Sequence, residues 1–83
     1  MLVVPHRIAQ AGNTIVPAIL TLESLGYSVA VEGDLMVASS NDTTFVAEDP
    51  VALLGLIKLV EVRTWTWKAS DNAIDEALTR YDL

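Results

Sequence analysis

The stretch Asp49-Pro50-Val51-Ala52-Leu53-Leu54-Gly55-Leu56-Ile57-Lys58-Leu59-Val60-Glu61-Val62-Arg63 constrains this chain more than any other. Asp49 before Pro50 is a strong helix-start signal, because the carboxylate accepts an orphan N–H and the proline has no N–H to lose in the first turn. At about 100° per residue, Val51, Ala52, Leu53, Leu56, Ile57, Leu59, Val60 and Val62 cover most of the helical wheel, and Lys58 and Glu61 share one narrow polar strip. A helix apolar nearly all round has to be covered on more than one side. The expectation is a sandwiched rod, with strands beneath and other helices or a twin subunit above. Gly55 sits at its centre at a cost of roughly 0.5–1 kcal/mol relative to alanine, which predicts that another backbone crosses very close there.

The chain has 83 residues, so a single small α+β domain over residues 1–83 is expected. It is 52% hydrophobic and 19% charged, against roughly 45–50% and about 25% for ordinary soluble domains. A domain of this size buries only about 60–65% of the surface its unfolded chain exposes. Part of the apolar excess is therefore expected outside, as an oligomer interface or a partner site.

In chain order, Ile8, Ile15, Ile19 and Leu22 fall on one helical line, with Gly12 on it and Leu25 beside it. Two readings compete. A helix from Pro5, running over about residues 6–25 and kinked near Asn13, keeps the stripe in phase with Pro17 pointing away from it and is preferred. The other is a new helix capped by Asn13 or Thr14, with Pro17 in its first turn. Gly26 ends the helix in either case. Tyr27 to Glu32, Leu35 to Ser39 and Thr43 to Ala47 alternate and are rich in β-branched residues, with turns at Gly33-Asp34 and Ser40-Asn41-Asp42. For the first hairpin, a two-residue loop pairs Val31 with Met36 and a three-residue loop pairs Val31 with Leu35, and a slip of one residue turns the second strand over.

After the rod, Thr64 to Ala69 is a connector with the alternation of a short extended segment. Ser70 then caps a last helix, with Asp71 in its first turn and Ile74, Ala77, Leu78 and Tyr81 in a one-sided stripe that should tie the chain end down. The order α-β-β-β-α-α predicts a two-layer α+β fold, a three-stranded antiparallel meander with helices packed on one face. Tyr27 and Phe45 belong to its core. One sheet edge invites pairing across a dimer axis.

The net charge of −6 comes from eleven acids against five cations dispersed at Arg7, Lys58, Arg63, Lys68 and Arg80. Dispersed cations cannot neutralise a run of phosphates, so no nucleic-acid partner is expected. An acidic surface suits a basic protein partner, though it also serves simply to keep an oily protein in solution. With no cysteine there is no disulfide framework and no thiolate chemistry. No basic region precedes an apolar run at the N-terminus, which Pro5, His6 and Arg7 interrupt. The longest apolar stretch, Val51 to Ile57, is far short of the ~20 residues a bilayer requires. No membrane partner and a cytoplasmic setting are the expectations.

Reactive chemistry is thinly represented. His6 is the single histidine, placed in a helical first turn with no second ligand nearby, which excludes a His-pair zinc motif. Glu48 with Asp49, and Asp75 with Glu76, are adjacent carboxylates that would suit acid–base work, but they occupy a helix start and the wet side of an amphipathic helix. No serine lies in a Gly-x-Ser-x-Gly elbow and the glycines are isolated. No catalytic residue, metal or cofactor is expected, and the chain is read as a non-enzyme. Trp65 and Trp67, bounded by Arg63 and Lys68, are the candidate partner-binding residues together with Arg63, since Trp and Arg dominate binding energy at interfaces. The competing use of the tryptophans is to plug the end of the core beneath the last helix.

These readings converge on a non-catalytic protein-interaction module, homodimeric, and more specifically on an inhibitor or immunity-type protein that masks a basic partner, where opposite charge speeds association. The alternative is a small apolar-ligand carrier or accessory enzyme subunit with a pocket between sheet and helices.

Overall fold

A computed structural model describes residues 6–83. The elements are a 3-10 turn at Gly12–Thr14, α1 (Ile15–Ser24), β1 (Ser28–Glu32), β2 (Leu35–Ser39), β3 (Thr44–Ala47), α2 (Pro50–Arg63), a 3-10 turn at Thr64–Thr66 and α3 (Asp71–Tyr81). The three strands form one open antiparallel sheet in the order β1-β2-β3. The fold is α+β with the order α-β-β-β-α-α.

The first helix departs from the preferred reading. Residues 6–11 are exposed and irregular, so His6 is not in a helical first turn, while Pro5, the expected helix start, lies outside the described residues. The helix begins at Ile15, with Pro17 in its first turn. There the missing proline N–H removes no intrahelical bond, whereas a helix continuous from Pro5 would lose one. Thr14 folds its hydroxyl back onto the Ala11 carbonyl at 2.7 Å and caps no amide of α1. The other end closes as a Schellman motif, with the Gly26 N–H donating to Glu23 O at 3.0 Å and the Tyr27 N–H to Leu22 O at 3.1 Å. Gly26 takes a φ of 95°, as such a cap demands.

The first hairpin has the two-residue loop. Glu32 pairs with Leu35 and Val31 with Met36, and of the two loop residues only Gly33 has a positive φ, 61°, the pattern of a type II′ turn. The register aligns Val29, Ala38 and Phe45 across the sheet, and Met36 with Ala47, on one face. The second loop is closed by Ser40 N–H donating to Thr43 O at 2.9 Å, so β3 starts at Thr44.

On that face α1 packs over β1 and α2 over β2 and β3, and the two helices pack on each other. The core where they meet is small: Leu22 of α1, Ala38 of β2 and Leu53 of α2, ringed by half-buried Tyr27, Val29, Met36, Phe45, Ala47, Leu54 and Ile57. Tyr27 and Phe45 touch edge to face, their ring centroids 6.0 Å apart and inclined at 71°. Helix α2 is capped as expected, Asp49 Oδ1 accepting the Ala52 N–H at 2.8 Å with Pro50 in the first turn. Its Oδ2 accepts from Gln10 Nε2 at 3.1 Å, which draws the segment before α1 to the start of α2.

Within one chain the sandwich around α2 is only partly built. Leu53 is fully enclosed, but Ala52, Gly55, Lys58, Glu61 and Val62 are exposed. No backbone of the same chain makes the close crossing expected at Gly55, because a Cβ built there would meet nothing within 4 Å among the described residues.

Candidate functional site

Helix α2 leans over the β3 edge of the sheet, and the residues it turns that way leave a groove. Leu56, Leu59 and Val60 form the helical wall, Thr44, Phe45 and Val46 the strand wall, and Trp65 and Trp67 the end. The groove encloses about 230 Å³. Beside it a second hollow shares Phe45, Val60 and Trp65 and continues to Tyr27 and Ile57. β3 is an edge strand, so the strand wall also presents unpaired backbone groups.

The tryptophans reach the groove through a tight elbow rather than the short extended segment that the alternation suggests. Thr64–Thr66 is a 3-10 turn, entered through Thr64 at φ 57° and ψ −156°. Thr66 Oγ1 donates to Arg63 O at 3.0 Å and the two threonine hydroxyls lie 3.3 Å apart. Local side-chain bonds of this kind compete with continuing the helix. Neither tryptophan plugs the core: Trp65 is 68% exposed and Trp67 40%. The Lys68 ammonium lies 5.7 Å from the centroid of the Trp67 ring.

Helix α3 is a well-specified helix. Ser70 Oγ accepts the Ala73 N–H at 3.2 Å, Asp71 occupies the first turn, Arg80 the last, and Asp82 closes it in the left-handed region. It nevertheless buries none of its residues, and among the described residues it makes no substantial packing contact with another helix or strand. The expectation that the stripe ties the chain end down inside the domain is therefore corrected: Ile74 and Leu78 are each 43% exposed, and Tyr81 more so. The radius of gyration is 15.9 Å, where a compact chain of this length gives about 12 Å.

Of the three residues singled out in the sequence, Trp65 and Trp67 line the groove, while Arg63 stands at the elbow and donates Nε to the Trp67 carbonyl at 2.9 Å. Sequence reasoning missed Val46, Leu56, Leu59 and Val60 as groove residues. Their signal was present, since an all-round apolar helix has more apolar positions than one small sheet can cover, but it does not say which side stays open. The adjacent acids come to no shared centre: Asp49 is a helix cap, and Asp75 and Glu76 lie on the wet side of α3. Among the described residues no group of three His, Asp or Glu is placed to hold a metal ion, and no helix is long and apolar enough to cross a membrane. The one ion pair among them, Lys58 with Glu61 at 3.2 Å, is exposed on α2 and contributes a few tenths of a kcal/mol at most. No family model, curated protein or solved structure matches the chain.

Proposed function

We propose that this protein is a non-catalytic protein-interaction module that works as a homodimer, with its acidic surface directed at a basic protein partner and a cytoplasmic setting in keeping with its lack of cysteine. The observation that carries the self-association is surface area. The isolated chain exposes 6936 Å², whereas a folded monomer of 9.0 kDa is expected to expose roughly 4,900 Å². Part of this excess of roughly 2,000 Å² belongs to the exposed, irregular residues 6–11, so about 4,000 Å² is an upper bound on what a pair would bury, against the 2,000–5,000 Å² of obligate dimers. Val62, Trp65, Ile74, Leu78 and Tyr81 contribute exposed apolar side chains to the excess.

Light scattering across a dilution series tests the reading. A mass of twice 9.0 kDa at micromolar concentration is expected, and a monomer at every concentration up to the millimolar range overturns it. For the basic partner, the net charge of −6 predicts an association rate that falls steeply with added salt. The alternative of a small apolar-ligand carrier is supported by the groove between β3 and α2. Its volume of about 230 Å³ is below the roughly 300–1,000 Å³ of small-molecule sites, which favours side chains as its occupants. A small molecule retained through purification and seen by native mass spectrometry would reverse that preference.

A further inference from the structure

The groove beside β3 and the unpacked helix α3 are complementary. The groove is apolar, walled by Val46, Leu56, Leu59 and Val60 and ended by Trp65 and Trp67. The helix carries Ile74, Ala77, Leu78 and Tyr81 at the spacing of one continuous face. Charge agrees as well. Asp71 and Asp82 stand at the two ends of α3, with Asp75 and Glu76 adding negative charge on its wet side, while Arg63 and Lys68 flank the two tryptophans at the groove's end. At 11 residues, α3 is shorter than the ~12–15 that an isolated helix needs even to be marginal in water, so it requires a surface to lie on. Among the described residues its own chain supplies no substantial one, and the elbow at Thr64–Thr66, held by the Arg63 to Trp67 bond, separates it from α2.

We infer that α3 is an exchanged arm, and that its apolar face docks in the β3–α2 groove of a second copy of this chain while the second copy's α3 docks in return. The inference rests on the dimer reading and specifies its contact. Reciprocal docking closes under a two-fold axis, so the assembly stops at two chains. Each groove is incomplete without the other chain's helix, and the hydrophobic stabilisation that neither α3 nor the groove realises alone is realised in both places at once. This mode of recognition is an amphipathic helix laid in an apolar groove, with anchors at i, i+3, i+4 and i+7.

The absence of cysteine from the chain makes the test direct. Chains carrying Leu59→Cys are mixed with chains carrying Leu78→Cys and mildly oxidised. A covalent dimer joining one chain of each kind is the expected product, and Thr79→Cys in place of Leu78→Cys, on the opposite side of α3, is expected to give at least tenfold less. Leu78→Asp is expected to weaken the dimer at least tenfold in a dilution series while leaving the circular dichroism of the strands in place. Closure within one chain of the Leu59→Cys, Leu78→Cys double variant, without cross-linking between chains, overturns the exchange in favour of a helix folded back on itself. A wild-type dimer that Leu78→Asp does not weaken overturns the exchange and leaves the dimer reading standing. A wild-type monomer at all concentrations removes both.

Discussion

Arg63 donates its Nε to the carbonyl oxygen of Trp67 at 2.9 Å, closing the elbow between α2 and α3. The bond spans the last residue of α2 and the last residue before the Lys68-Ala69-Ser70 lead-in to α3, so it acts on the direction in which the final helix leaves the domain. Arg63 carries a positive charge near the candidate groove and at the same time shapes the chain that forms its end.

Thr64 is the strained member of that elbow. At φ 57° and ψ −156° a β-branched residue occupies backbone space close to that used almost only by glycine, at a cost of about 1–3 kcal/mol. Thr64→Gly removes the strain and loses up to about 1 kcal/mol to the greater freedom of the unfolded chain. A net gain of about 1 kcal/mol is expected in urea unfolding followed by circular dichroism. A loss of stability would show that the threonine is well accommodated at this position.

Gly55 should tolerate a side chain. A Cβ there meets nothing within 4 Å, so Gly55→Ala is expected to gain about 0.5–1 kcal/mol from helix propensity alone. For a domain of this size that raises the melting temperature by about 2–8 °C. If the variant melts lower, a second chain covers this flank of α2 in solution.

Asp49 holds two attachments with its two oxygens, the Ala52 amide at 2.8 Å and Gln10 Nε2 at 3.1 Å. Asp49→Ala is expected to cost about 1 kcal/mol, mostly through the lost cap. Asp49→Asn, which still caps, should cost a few tenths. Equal losses in the two variants would mean that the carboxylate charge, rather than the cap, is what matters.

Leu53 is the fully buried point of α2, in contact with Leu22 and Ala38. Leu53→Ala is expected to cost about 2–5 kcal/mol, a large part of what so small a domain has, and to move its unfolding midpoint far below that of the parent. Leu56→Ala, in the half-buried wall of the groove, should cost well under half as much in the monomer. Parallel denaturation curves for the two variants give the comparison, and similar losses would mean that the groove is already filled.

Local chemistry was readable from the residues alone. Asp49-Pro50 started α2, Ser70 started α3, Gly26 ended α1 and Gly33-Asp34 turned the first hairpin, because a cap or a tight turn depends on a few neighbouring atoms that the sequence names outright. The α-β-β-β-α-α order followed from those punctuation marks and from periodicity. Tertiary structure decided the rest. Pro17 lies in the first turn of α1 rather than inside a longer helix, the hairpin register puts Met36 and Ala38 against the helices, Gly55 faces open space, and α3 stands clear of its own domain. An apolar stripe such as Ile74, Leu78 and Tyr81 states that a surface is to be covered. Because the hydrophobic effect has no direction, the stripe cannot state which surface does the covering, and for that the chain has to be seen folded.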